Sequence, residues 1–369
     1  MPDLVNKRIL ILTASFGEGH NSAARGVRAG LARVAPEQSE VELHDLLAEV
    51  YGPLNEFIRK AYLGLINYAS PAWGIAYRWF DREKDFDQEF ARLVRLKNYF
   101  AALLDRFRPN VVVSTFPVYP PVLRRILAEN PGSFSDCKNV VVVTDSITIN
   151  AAWYRCAADY FFVANEQSAT VLRDGGVALE KIKPFGFPVS PKFADLAEDR
   201  PLPGKSNQRV LYMINAAKRG GPELVRLLAK LDLDLTVTIG RDGELRTAIE
   251  AAADAHPIKI VGWTDELPRM MHENHLLIGK AGGATVQETI AAKCPMIVNH
   301  VVAGQEEGNA RLIVETNSGV IAQSPREVVA QVQRAFDDDA KQWREWAGNI
   351  SKISRPRAAL DIVEFLMTL

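Results

Sequence analysis

Three cysteines, Cys137, Cys156 and Cys294, are too few to staple a chain of 369 residues, cannot all pair with one another and form no C-x-x-C motif. That excludes a disulfide scaffold and a cysteine zinc site, and suits buried thiols in a reducing compartment. A dominant charge is missing too: 44 basic and 45 acidic residues leave a formal net charge of −1. No global field draws the chain to nucleic acid, so an anionic partner has to be met by a local patch. No apolar run reaches the ~18 residues of a membrane span. The first eight residues lack the basic-then-apolar form of a signal peptide. Repeats, heptads and low-complexity tracts are absent as well. The expectation is a cytoplasmic protein that can still touch a membrane from one side.

What is present is apolar patterning sufficient for two cores, with 47% hydrophobic residues in a chain longer than the usual single domain. Short apolar runs of the kind buried on both faces of a parallel sheet predict strands at 8–13, 40–43, 110–114, 139–144 and 160–164. A helix over 21–34 follows the first, with Asn21 or Ser22 available as its cap. Pro188, Pro191, Pro201, Pro203 and Gly204 mark 186–207 as a linker. A second alternating series follows at 210–214, 235–239, 258–261, 276–278 and 296–299. The pattern predicts two doubly wound α/β domains, Rossmann-like in build.

Two neighbouring turns of the second half carry complementary chemistry. Gly282 and Gly283 allow a tight turn after an apolar strand, and Ala284, Thr285, Val286 and Gln287 open a helix whose free N–H groups and positive dipole end favour phosphate. Glu288, about one turn in, can accept from a ribose diol. One unit later Gln305, Glu306 and Asn309 stand at a helix start, where they can bond sugar hydroxyls. Each turn alone also fits an ordinary βα connection.

In the first half, His20 follows Gly17, Glu18 and Gly19 at a helix start. An imidazole there can take a proton from an attacking hydroxyl, or simply pack at the helix end. Asp145 ends a strand, where it can pair with His20, contact an acceptor or cap a turn.

Lys280-Ala281-Gly282-Gly283-Ala284-Thr285-Val286-Gln287-Glu288 and Ala303-Gly304-Gln305-Glu306-Glu307-Gly308-Asn309 resemble the donor-site segments of glycosyltransferase family 28. Within that family the resemblance is to the branch of monogalactosyldiacylglycerol synthases and processive diacylglycerol glucosyltransferases. Thr13–Ala24, Val143-Thr144-Asp145 with Trp153, and Gly186-Phe187-Pro188-Val189 with Phe193 are similar to the same branch, so nearly the whole chain is covered. The resemblance implies the GT-B architecture, two such domains facing a central cleft across which loops 14–21 and 279–309 meet. Residues 1–187 would bind acceptor, with a final helix in 355–369 packing back on them, and 205–352 would bind a UDP-sugar. His20 is implied as catalytic base with Asp145 beside it, and Gly17, Glu18, Gly19 and Asn150 line the acceptor side. Gly262, Lys280, Gly282, Gly283, Ala284, Thr285, Glu288, Gln305, Glu306 and Asn309 would bind the donor. No cofactor or metal is implied, because helix dipoles and N–H groups stabilise the leaving diphosphate.

Two departures stand out. The family commonly has a histidine where this chain has Asn150, which cannot relay a proton near neutrality. The glycine-rich loop after the first strand of the second domain is replaced by Asn215-Ala216-Ala217-Lys218-Arg219. These keep alternatives open: N-acetylglucosamine transfer to an isoprenoid-linked acceptor, epimerisation of the UDP-sugar, or a degenerate nucleotide-sugar-binding regulator.

Other features are weaker. His272 and His275 have a chelating spacing but no third ligand, and the aspartates at 232–234 and 337–339 suit solvated turns. Segment 53–84 mixes large apolar residues with Arg59, Lys60, Arg78 and Arg82. With a lipid acceptor implied, Arg59, Lys60, Trp73, Arg78 and Trp79 are expected to touch an anionic membrane at its cytoplasmic face.

Overall fold

The computed structural model describes residues 6–59, 93–134, 136–147, 149–196, 198, 200–204, 207–214, 220–254, 256–302 and 306–369. Lys60, Trp73, Arg78, Trp79, Arg82, Gln305 and the altered loop at 215–219 lie outside these residues. The described chain divides into two compact units. The first runs to Pro191 and takes in Val302–Gly308 and Arg357–Leu369; the second comprises Lys192–Val301 and Asn309–Pro356.

The first unit is built on β1 (Lys7–Leu12), β2 (Ser39–His44), β3 (Val111–Ser114), β4 (Lys138–Val142), β5 (Tyr160–Phe162) and β6 (Ile182–Lys183), all parallel in the order β2-β1-β3-β4-β5-β6. Ile9, Leu10, Ile11 and Leu12 are fully buried, as helices on both faces of a parallel sheet require. Its helices are α1 (Glu18–Val34), α2 (Leu46–Tyr51), α3 (Val94–Phe107), α4 (Tyr119–Glu129), α5 (Glu166–Asp174) and α12 (Ala358–Leu366), numbered over the described residues of both units. Gly26 lets α1 meet the chain after β6, because a Cβ there would stand 1.7 Å from the Pro188 carbonyl oxygen. On its other side α1 packs against α12.

The second unit holds β7 (Arg209–Met213), β8 (Asp234–Gly240), β9 (Lys259–Gly262), β10 (Leu276–Lys280), β11 (Met296–His300) and β12 (Gly319–Ile321), parallel in the order β12-β11-β10-β7-β8-β9. Between them run α6 (Gly221–Leu228), α7 (Gly243–Ala253), α8 (Leu267–Glu273), α9 (Gly283–Ala291), α10 (Glu307–Glu315) and α11 (Pro325–Ile353). Within α11, Asp337–Ala340 leave helical geometry, which accounts for the aspartate run there. Among the described residues no helix is long and apolar enough to cross a membrane.

One expectation is corrected. The first helix begins at Glu18 with Gly17 at its N-cap position, so neither Asn21 nor Ser22 caps it. Asn21 instead accepts the Thr13 hydroxyl at 2.9 Å, and His20 lies inside the first helical turn.

Candidate active site

In the first unit the chain leaves β1 at Leu12 and enters α1 at Glu18, which brings His20 back against the ends of β3 and β4. His20 Nδ1 lies 2.9 Å from the Thr115 carbonyl oxygen and 3.0 Å from Thr144 Oγ1. A carbonyl only accepts, so Nδ1 carries the proton and Nε2 keeps its lone pair. The ring stands edge-on to Phe116 at 5.0 Å and tilted toward Trp153 at 5.8 Å. This half-buried setting strips water from the imidazolium and pushes its pKa down to about 4, against the raising effect of the Thr115 bond. At neutral pH His20 is therefore an uncharged acceptor. Glu18 is exposed and ion-paired with Arg25, and Gly19 has open space where a Cβ would stand.

Among the described residues no hydrogen bond joins His20 to Asp145. Its Oδ2 accepts the Trp153 indole N–H at 2.8 Å, because the short helical turn Ala151–Trp153 swings the indole back over the end of β4. Burial raises the Asp145 carboxyl to about 6, opposed by the Trp153 bond and by the Asn150 backbone. Asn150 Oδ1 accepts the Ala152 N–H at 2.9 Å and caps the turn that carries Trp153. Asp145 and Asn150 thus fix an aromatic wall beside the imidazole. Thr115, Thr144 and Phe116 were not foreseen as partners of His20, since only adjacency of β1, β3 and β4 in the sheet brings them to it.

In the second unit β10 delivers Gly282 to the N-cap position of α9, with no side chain capping it. The first i→i+4 bond is Val286 N–H to Gly282 O at 2.9 Å, so the N–H groups of Gly283, Ala284 and Thr285 have no intrahelical acceptor. Thr285 is buried, and its carbonyl accepts from Thr289 Oγ1 at 2.6 Å. Glu288 is half-buried one turn further on. Asn309 binds inward: its amide donates to the Ala281 carbonyl at 3.2 Å, fastening α10 to the turn, while its Oδ1 is buried without a partner among the described residues. Glu306, in the stretch Val302–Gly308 that groups with the first unit, is buried and accepts the Val302 N–H at 3.1 Å. Gly262 ends β9 beside the Gly240 carbonyl, and next to it Trp263 is 67% exposed with Arg241 stacked 5.2 Å over its ring. Lys280 is half-buried at the end of β10. The far ends of α8 and α9 are also held. Arg200 donates to the carbonyls of Met271, Asn274 and Ala292, and Ser354 Oγ donates to Ala291 O at 3.2 Å.

Two parallel six-stranded doubly wound sheets, one ending in a glycine-led helix start, define the GT-B class. Solved structures carry the same fold. The MurG of Acinetobacter baumannii covers 98% of this chain with 100% of its own, at TM-score 0.63 and 13% identity. The calicheamicin glycosyltransferase CalG4 covers 98% with 98%, at TM-score 0.59 and 14% identity. Residues 20–189 match the family model for monogalactosyldiacylglycerol (MGDG) synthase, and residues 213–353 match the glycosyltransferase family 28 C-terminal domain. MGDG synthase 2, chloroplastic, of Arabidopsis thaliana is 24% identical over 388 residues, which span 97% of this chain and 80% of that protein. The chloroplastic MGDG synthase of Spinacia oleracea is 26% identical over 383 residues, spanning 98% and 72%. The chain belongs to glycosyltransferase family 28, in its MGDG synthase branch, whose members are UDP-sugar-dependent glycosyltransferases.

Proposed function

We propose that the chain transfers a hexose from a UDP-sugar, with inversion, to the hydroxyl of diacylglycerol or of a glycosylated diacylglycerol. The acceptor oxygen attacks the anomeric carbon, its proton passes to His20 Nε2, and UDP departs with the electron pair of the broken bond. The start of α9 at Gly282, Gly283, Ala284 and Thr285 receives the diphosphate, Glu288 the ribose, and Gln305 and Glu306 the hexose, with Gly262 and Lys280 also on the donor side and Asn309 holding the turn in shape. The observation that carries the reading is the neutral imidazole, locked by the Thr115 carbonyl with its basic nitrogen unprotonated.

Incubation with UDP-glucose, UDP-galactose and UDP-N-acetylglucosamine, with and without diacylglycerol vesicles, tests it. Hexose appearing on diacylglycerol is the expected result. Interconversion of UDP-sugars without lipid would instead identify an epimerase, and nucleotide binding without turnover a regulator. A pH profile bears on the base directly. Because kcat/KM reports the free enzyme, it should stay level from about pH 8 to about pH 5 and fall only as His20 protonates near pH 4. An acid limb near pH 6 would assign control to Asp145 and remove His20 from that role.

The lipid acceptor has to be met at a surface, and residues 53–59 suit that task. Leu54, Phe57 and Ile58 are 56%, 70% and 47% exposed, a patch that interfacial burial would stabilise. Arg59 contributes less than its charge suggests, because Glu56 binds its guanidinium at 2.9 and 2.8 Å. Replacing Leu54, Phe57 and Ile58 with serine should weaken cosedimentation with anionic vesicles and leave UDP affinity intact. Undiminished cosedimentation would place membrane contact elsewhere. The proposed location is peripheral, on the cytoplasmic side of a membrane.

A further inference from the structure

Asp45 stands between the loop that carries His20 and the helical arm that follows β2. Its Oδ2 accepts the Ser15 N–H at 2.9 Å, and its Oδ1 accepts the Ala48 N–H at 3.0 Å, capping α2. One residue earlier, the His44 carbonyl accepts the Thr13 N–H at 2.9 Å. The stretch 13–15 is thereby fastened to the end of β2 at two successive points. Further ties run to α4 and α1: the Tyr119 hydroxyl donates to the Thr13 carbonyl at 2.7 Å, and the Thr13 hydroxyl donates to Asn21 Oδ1 at 2.9 Å. The Thr115 hydroxyl reaches the His20 carbonyl at 3.1 Å.

We propose that Asp45 is a positioning residue for the reaction, fixing the loop 13–17 so that His20 keeps Nδ1 on Thr115 and Thr144 and leaves Nε2 toward the acceptor. This rests on His20 being the base. The choice of a carboxylate follows from counting acceptors. Two backbone N–H groups from separate segments converge on this side chain, and only a carboxylate presents an accepting oxygen to each. Asparagine supplies one such oxygen and sets an NH2 group against the other N–H. As an N-cap, however, asparagine equals aspartate. Asp45→Asn therefore removes the hold on Ser15 while the cap on α2 persists.

With the UDP-hexose that the wild-type protein uses and diacylglycerol vesicles, Asp45→Asn should turn over about 10- to 100-fold more slowly, the scale of loss from small misplacement of a reacting group. The KM for the donor should not move. In a His20→Ala background the same substitution should cost nothing further, because Asp45 acts through His20. Undiminished turnover, or an equal loss on top of His20→Ala, overturns the proposal. Asp45→Ser keeps a one-oxygen cap and gives the same readings should the asparagine variant fold poorly. A substrate-free arm separates this inference from the proposed function. By NMR the His20 imidazole of Asp45→Asn should titrate closer to the ordinary value of about 6.5 than the wild-type ring does. If the wild-type protein moves no sugar, the base assignment falls, and an unchanged His20 titration would also remove Asp45 as the residue that holds the ring.

Discussion

His20→Ala should lower turnover by about 10²–10⁴-fold, the usual contribution of a positioned general base, with UDP affinity close to wild type. The substitution also strips a partner from the Thr115 carbonyl, which by itself costs about 1–3 kcal/mol of stability when the group is buried. A second variant therefore separates chemistry from packing. In His20→Asn the amide N–H can still reach Thr115 where Nδ1 did, while nothing replaces the basic Nε2. Both variants should be slow, and only the alanine one should melt early. Recovery of turnover in His20→Asn would mean that the ring matters for packing alone.

Glu288→Ala is expected to weaken UDP binding by about 1.5–3 kcal/mol, the range for hydrogen bonds to a charged group. In the proposed donor site the remaining contacts come from backbone: the N–H groups at the start of α9, which have no intrahelical acceptor, are untouched by the substitution, so diphosphate should still be received. The loss should accordingly be seen in calorimetry with UDP and be smaller with inorganic pyrophosphate. Equal losses for the two ligands would mean that the helix start had moved, and unchanged UDP affinity would end the ribose assignment.

Most strands of both sheets were legible because apolar runs such as Ile9–Leu12 and Leu276–Ile278 have no polar face to offer and must be covered on both sides. β6 and β12, two and three residues long, escaped notice, whereas β5, also three residues, lies in the longer apolar run 160–164. The glycines at 282 and 283 announced the helix start of α9 correctly. At the other end of the chain the same kind of cue misled, since Asn21 and Ser22 have capping side chains, yet the helix starts earlier at Glu18 with a glycine before it. For Asp145 the sequence left pairing with His20, acceptor contact and a turn cap open, because it shows only that the residue ends a strand. It does not show that Trp153, eight residues on, donates its indole N–H to that carboxylate first. The same limit hid Thr115 and Thr144, whose meeting with His20 is a product of strand order and not of spacing along the chain.

Arg200 has a practical consequence for anyone wishing to study nucleotide binding on a truncated protein. Sequence composition suggests cutting in the proline-rich stretch and beginning near residue 205. Such a cut discards the guanidinium that binds the terminal carbonyls of α8 and α9, and ending the fragment at 352 discards Ser354 at Ala291. Both losses fall on the negative end of the helix whose positive end would meet phosphate, where a cation is favourable. A fragment spanning 192–356 keeps these anchors, and a weak signal from a shorter piece would report frayed helix ends before it reported anything about UDP.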